Sequence, residues 1–244
     1  KDWIFPIFAN AKLEVSVIGD VDEKVIVDLA GKYFGSLNPG KKVIYSKETV
    51  VFPQGQKRKF FIESKLDKTL LAIAWQTEGF NDIENIRRLN MLADVFEERI
   101  RLAVREKLGA TYSPVVYHTA SRSIPEYGML YVRIITGADQ VGKVEKVVRK
   151  ISNGLATSGV SEEELLRVKK PTLTSLKDKI RTNSYWLHAV LAGSTVYPEQ
   201  LQWPTTLIED YESITADELS LLAKKYLDPA RAASAIVLPE DMKK

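Results

Sequence analysis

The 244-residue sequence has no cysteine, which excludes disulfides and thiol catalysis and leaves the redox compartment open. Histidine is almost as scarce. His118 and His188 are the only two, they are far apart, and neither is followed by glutamate three positions later. The inverted zinc motif H-x-x-E-H, with two ligating imidazoles and a water-activating carboxylate on one helical face, is therefore absent. No G-x-S-x-G turn accompanies the serines, and neither G-x-G-x-x-G nor a Walker loop follows a strand, so nucleophile-elbow and nucleotide chemistry find no support. Lys and Arg number 35 against 32 Asp and Glu, and this near balance gives no case for nucleic acid as a partner. No run reaches the roughly eighteen apolar residues of a membrane span, and no internal repeat is legible.

A chain of this length can bury a full core, and residues 1–244 are read as a single domain. Residues 13–18 read as a strand. Asp20 or Asp22 then caps a helix to about Phe34, with Val25, Ile26, Leu29, Ala30 and Tyr33 on its inner side. After an irregular connection over 43–56, residues 57–63 and 69–76 read as strands, the second almost wholly apolar as in a sheet centre. Leu89, Leu92, Ala93, Phe96, Ile100 and Ala103 follow the three-and-four spacing of an amphipathic helix that stops at Gly109. Strands over 111–119 and 127–136 form a hairpin. Val144, Val148, Ile151 and Leu155 then mark a helix, and the capping boxes Ser161/Glu164 and Thr215/Glu218 open two more. Pro171 is expected to bend the first of these. A last short strand over 234–238 completes an α+β architecture, a mainly antiparallel sheet with helices packed on one face.

Arg105 falls in the last turn of the long helix and Tyr112 at the start of the next strand, seven positions on, so both can face one rim. Arginine offers several fixed donors and tyrosine one, a set suited to the backbone carbonyls of an extended peptide. Spacing alone also suits an arginine against the helix dipole and a tyrosine packing its ring. Arg99, Arg101 and Lys107 are read as the solvated side of the same helix.

The run Arg105-Glu106-Lys107-Leu108-Gly109-Ala110-Thr111-Tyr112 resembles the R-x-K-L-G-x-x-Y pattern of the pitrilysin (M16) zinc peptidases. Three further segments are similar to that family in the same order: Ile18-Gly19-Asp20-Val21-Asp22, Gly159-Val160-Ser161-Glu162-Glu163-Glu164-Leu165, and Ile214-Thr215-Ala216-Asp217-Glu218-Leu219. The resemblance covers most of the chain. It implies the non-catalytic C-terminal domain of the M16 (LuxS-like metallohydrolase) fold, inside a longer multidomain enzyme that hydrolyses peptides or small unfolded proteins. It implies zinc in that parent enzyme, held by an N-terminal M16 half on the same polypeptide or a partner subunit. It assigns no metal ligand or catalytic residue to this chain, which alone is expected to be inactive. It implies substrate-carbonyl binding by Arg105 and Tyr112, with Arg181, Asn183 and Trp186 as secondary peptide contacts.

The start at Lys1, without an initiator Met or signal-peptide layout, fits a piece of that larger enzyme and leaves bacterial periplasm and cytoplasm both open. An isolated domain could pair with a second copy through a face normally covered. The alternative reading is a non-proteolytic scaffold of the same fold, as in the core proteins of respiratory complexes.

Overall fold

The computed structural model describes residues 4–37, 50–64, 68–80, 82–108, 114–124 and 126–243, the side chains of 8, 105–108, 241 and 243 excepted. In chain order the elements are helices α1 (Phe5–Asn10) and α2 (Glu23–Phe34), strands β1 (Lys57–Ile62) and β2 (Thr69–Thr77), and helix α3 (Ile83–Leu108). Strands β3 (Val115–Ala120) and β4 (Gly128–Thr136) follow, then helices α4 (Val141–Ser158) and α5 (Glu162–Lys179). A short turn α6 (Asn183–Tyr185) continues as a π-helix (Trp186–Leu191), succeeded by a 3-10 turn (Pro198–Gln202), α7 (Trp203–Ser213), α8 (Ala216–Tyr226) and β5 (Ala233–Pro239). The chain forms two compact units, Lys1–Glu48 with Thr174–Ile208, and Thr49–Leu173 with Glu209–Lys244.

The larger unit holds a five-stranded sheet in the order β1-β5-β2-β4-β3. Every pairing is antiparallel except β1 with β5, so the sheet is mixed at one edge. The closing segment of the chain therefore lies inside the sheet, between β1 and β2. Alternation along β2 sends Leu71, Ile73 and Trp75, each 0% exposed, toward α3, α4 and α8, whereas Ala72 and Ala74 face away. Each large side chain buried there contributes on the order of 1.5–3 kcal/mol. Of the α3 residues singled out by period, Leu89, Leu92, Ala93, Phe96 and Ile100 are buried, and Ala103 is half-buried. Phe96 packs on Trp75 with ring centroids 5.6 Å apart, and the Trp75 indole N–H donates to the Asp228 carbonyl at 3.1 Å.

Both capping boxes form as the sequence predicts, since Ser161 and Thr215 exchange side-chain and backbone bonds with Glu164 and Glu218. Pro171 does not end α5. On either side of it, Lys169 donates to the carbonyls of Glu212 (2.5 Å) and Ile214 (2.7 Å), and Thr172 donates to Asp94 (3.0 Å). These bonds fasten the helix where the proline removes one of its own.

The smaller unit departs from its expected pattern. Residues 13–18 are extended but pair with no strand among the described residues, and Leu13, Val15 and Val17 are 59%, 48% and 43% exposed. Asp22 caps α2 as expected, accepting from the Val25 N–H at 3.0 Å, yet α2 has no buried residue. Period predicts which residues share a face, but burial requires a second surface, and of the predicted inner face only Ile26 and Ala30 are even half-covered among the described residues.

Candidate functional site

The junction between α3 and β3 carries the leading site residues. α3 continues to Leu108, so Arg105 occupies its last turn, and β3 runs from Val115, while the expected strand start at 111 lies outside the described residues. The Glu97 carboxylate accepts the Val116 N–H at 2.8 Å, which fixes the start of β3 against α3. The Arg105 side chain and all of Tyr112 lie outside the described residues.

Arg181, Asn183 and Trp186 come together in the smaller unit because Thr182 caps the turn between them, its hydroxyl accepting from the Tyr185 N–H at 3.2 Å. All three are exposed. Trp186, 37% exposed, stacks edge-on against Tyr185 and donates from its indole nitrogen to the Ile180 carbonyl at 2.8 Å. Its polar tip is thus satisfied within the protein while the residue stays partly exposed. The π-helix beneath closes with the Ala192 N–H on the Leu187 carbonyl, and fully buried Gln200 donates to the carbonyls of Val190 (2.7 Å) and Ala192 (2.9 Å). Such a wide, under-wound turn needs outside partners for its last carbonyls, and Gln200 supplies them.

Glu14 is a further anchor that periodicity could not reveal. Its carboxylate accepts from the Gly193 N–H (3.0 Å), the Thr195 N–H (3.3 Å) and the Thr195 hydroxyl, tying the extended N-terminal segment to the turn after the π-helix. The Thr195 hydroxyl is the chief cause holding this carboxyl below its usual range.

Neither histidine belongs to a group of candidate metal ligands among the described residues. His118 on β3 is 8% exposed and its Nε2 lies 3.0 Å from the Thr77 hydroxyl, while burial lowers its pKa to about 4. His188 lies on the π-helix. Among the described residues no group of three or more His, Asp or Glu could hold a metal ion, so the side chains described here do not fit a zinc site.

The helix face of α3 is more polar inside than its sequence suggests. Arg99, expected on the solvated side, is half-buried and paired. It donates to both oxygens of Glu164, at 2.6 and 2.8 Å, and to the Gly159 carbonyl at 2.7 Å. Five residues back, Asp94 accepts from Thr172, and burial with Glu97 nearby raises its pKa to about 6 against the effect of that bond. Arg101 pairs with Glu98 on the exposed side.

The sheet face opposite the helices bears a shallow groove of about 260 Å³, floored by Ala72, Ala74 and Ala235 and walled by Phe60, Tyr127 and Met129. Small residues at alternate positions of β2 and β5 keep its floor flat. Such a surface can take extended or helical chain through apolar contact.

The family described as the peptidase M16 inactive domain matches residues 1–171. An uncharacterized zinc protease of Rickettsia felis is 26% identical over 242 residues, covering 95% of this chain and 54% of that protein. The chain therefore spans about half the length of this relative. Among solved structures, a peptidase M16 inactive domain from Pseudomonas fluorescens superposes over 91% of this chain and 52% of its own, with a TM-score of 0.70 and 17% identity. A chain of Complex III2 from Candida albicans covers 90% of this chain and 53% of its own, with a TM-score of 0.67 and 15% identity. At these identities the two structures establish a shared fold.

Proposed function

Because the chain belongs to the peptidase M16 family, as its inactive domain, we propose that it is the non-catalytic half of a zinc-dependent metalloendopeptidase. It helps enclose a peptide chamber and holds substrate backbone carbonyls through Arg105 and Tyr112. The observation that carries this reading is the similarity to a zinc protease along nearly the whole of this chain, combined with a length about half that relative's. Zinc, bound by the other half, would supply the Lewis acid and activated water of hydrolysis.

The part of this chain is to bind and orient. Arg105 sits at the end of α3, a helix whose buried face fixes its position, and Tyr112 stands three residues before β3. Donors at that junction can hold a peptide carbonyl and strengthen their bonds as negative charge develops on its oxygen. Arg181, Asn183 and Trp186, all exposed, are secondary peptide contacts. The zinc-binding partner is on the same polypeptide or on a separate subunit, and peptide or unfolded protein is the substrate.

When the zinc-binding half and this chain are reconstituted, Arg105→Ala and Tyr112→Phe should each lower turnover by about tenfold or more at unchanged zinc content. Wild-type turnover in both variants would overturn the assignment. The second reading, a non-proteolytic scaffold, draws on the similarity to a chain of a respiratory complex. It predicts that the full-length protein contains no H-x-x-E-H and that no coexpressed partner supplies one.

A further inference from the structure

Two consecutive segments of the smaller unit turn apolar side chains to the outside. Residues 13–18 are extended and alternate in exposure: Leu13, Val15 and Val17 are exposed, whereas Glu14, Ser16 and Ile18 are half-buried. This inverts the apolar-in, polar-out order of a strand with one solvated face. The row carrying Glu14 and Ser16 is the one held in place, because Glu14 accepts from the Gly193 and Thr195 N–H groups and Ser16 donates to Glu14 at 3.4 Å.

The edges of the segment are open as well. Among the described residues no backbone N–H or carbonyl of 13–18 bonds another backbone group. The segment contains no proline, so each residue keeps its donor. Six successive residues with free backbone groups and strand alternation are a template for joining a sheet.

The helix that follows repeats the pattern. After the short link over 19–22, Asp22 caps α2, and Val25, Leu29 and Tyr33 recur at every fourth position as an exposed apolar stripe. A strand joined by a short link to an amphipathic helix ordinarily lays that helix on the sheet to which the strand belongs. The described residues of this unit include the strand-like segment and the helix but no sheet.

We propose that residues 13–34 are the docking element for the zinc-binding half, whose β-sheet takes 13–18 as an added strand and whose adjoining apolar sheet face is covered by Val25, Leu29 and Tyr33 of α2. The inference rests on reading this chain as one half of a longer assembly, and the length of the Rickettsia felis relative, of which the chain covers 54%, leaves room for such a partner. A second copy pairing through the same segment fits less well. It would make only a two-stranded ribbon, marginal in water, and would leave the α2 stripe without a sheet to cover.

Hydrogen exchange followed by mass spectrometry tests this on the chain alone and on the chain joined to, or in complex with, its zinc-binding half. The amides of 13–18 should exchange at close to the unstructured rate in the chain alone, and on the order of a hundredfold or more slowly in the assembly. Val15→Glu combined with Val17→Glu, and Leu29→Glu separately, should leave the unfolding temperature of the chain alone unchanged, since these side chains already meet water. In the assembly each should lower it by about 4 °C or more. Fast exchange of 13–18 in an assembly that forms and cleaves peptide would overturn the inference and leave the Arg105 and Tyr112 reading standing. Slow exchange in an assembly without peptide turnover would uphold the inference and overturn the endopeptidase reading, and failure of the two halves to associate would overturn both. Protection in the chain alone that grows with its concentration would assign the surface to a second copy, and it would overturn the proposal, as would glutamate variants that destabilise the chain alone as much as the assembly.

Discussion

Arg99 and Glu164 form a two-pronged ion pair, 2.6 and 2.8 Å, and the same guanidinium reaches the Gly159 carbonyl, so one side chain of α3 clamps the start of α5. Glu164 also closes the capping box with Ser161, and Arg99 is the main cause that lowers its pKa to about 2. Removing Arg99 strands a carboxylate whose side chain is only 19% exposed. Arg99→Ala should cost about 2 kcal/mol of unfolding free energy at pH 7. Because the folded pKa is depressed, this stability is present above the ordinary glutamate range near 4.5 and is lost as pH falls toward 2. Urea denaturation at pH 7 and near pH 2.5 should show the gap between wild type and variant narrowing in acid. An equal gap at both pH values would refute the pair's charge-dependent role.

Asp94 has the opposite sign. Burial raises its folded pKa to about 6 from 3.8, so the folded state keeps a proton that the unfolded chain releases. Stability from this group is complete below about pH 4 and falls as pH rises through 6. Asp94→Asn preserves a partner for the Thr172 hydroxyl and removes the buried charge. The variant should be more stable than wild type by about 1–2 kcal/mol at pH 8 and indistinguishable from it near pH 4. Thermal unfolding at the two pH values checks this, and a variant less stable at pH 8 would show that the Asp94 charge is structurally needed.

The features legible in the sequence are those fixed by neighbours a few positions apart. The buried stripe of α3, the hairpin of β3 and β4, and both capping boxes depend on local spacing, and they form where the residues predict. The strand over 13–18 and the inner face of α2 needed a distant surface, and an alternating or helical pattern cannot say whether that surface is present. Arg99 looked solvated because its partners, Gly159 and Glu164, lie about sixty residues away. Glu14 was illegible for the same reason, since its partners Gly193 and Thr195 are distant in sequence and only the fold brings them near.

His118 should remain neutral in the folded protein at pH values where an ordinary imidazole has already taken a proton. Burial lowers its pKa to about 4 from 6.5, so the unfolded chain gains the proton first and stability is lost as pH falls between those values. In a His188→Gln background, the remaining imidazole resonances should hold their neutral positions from pH 8 to pH 5. Titration with a midpoint near 6.5 would show that the ring is open to solvent and that its contact with Thr77 is not maintained.

Two glycine substitutions should move stability in opposite directions, because they meet different space with the same added methyl. Gly128 begins β4 opposite Thr77, and a Cβ there would collide with the Glu78 carbonyl and come within 2.6 Å of the Thr77 hydroxyl. Backbone cannot yield as a flexible side chain does, so Gly128→Ala should cost about 1–3 kcal/mol. It should also shift the His118 resonances, since Thr77 holds that ring. Gly142 lies in the first turn of α4 with nothing within 4 Å of its would-be Cβ. Gly142→Ala should therefore stabilise the fold by about 0.4–1 kcal/mol, chiefly by restricting the unfolded chain. Chemical denaturation of both variants checks the pair. Equal effects would mean that the close approach of β4 to the end of β2 is not present in solution.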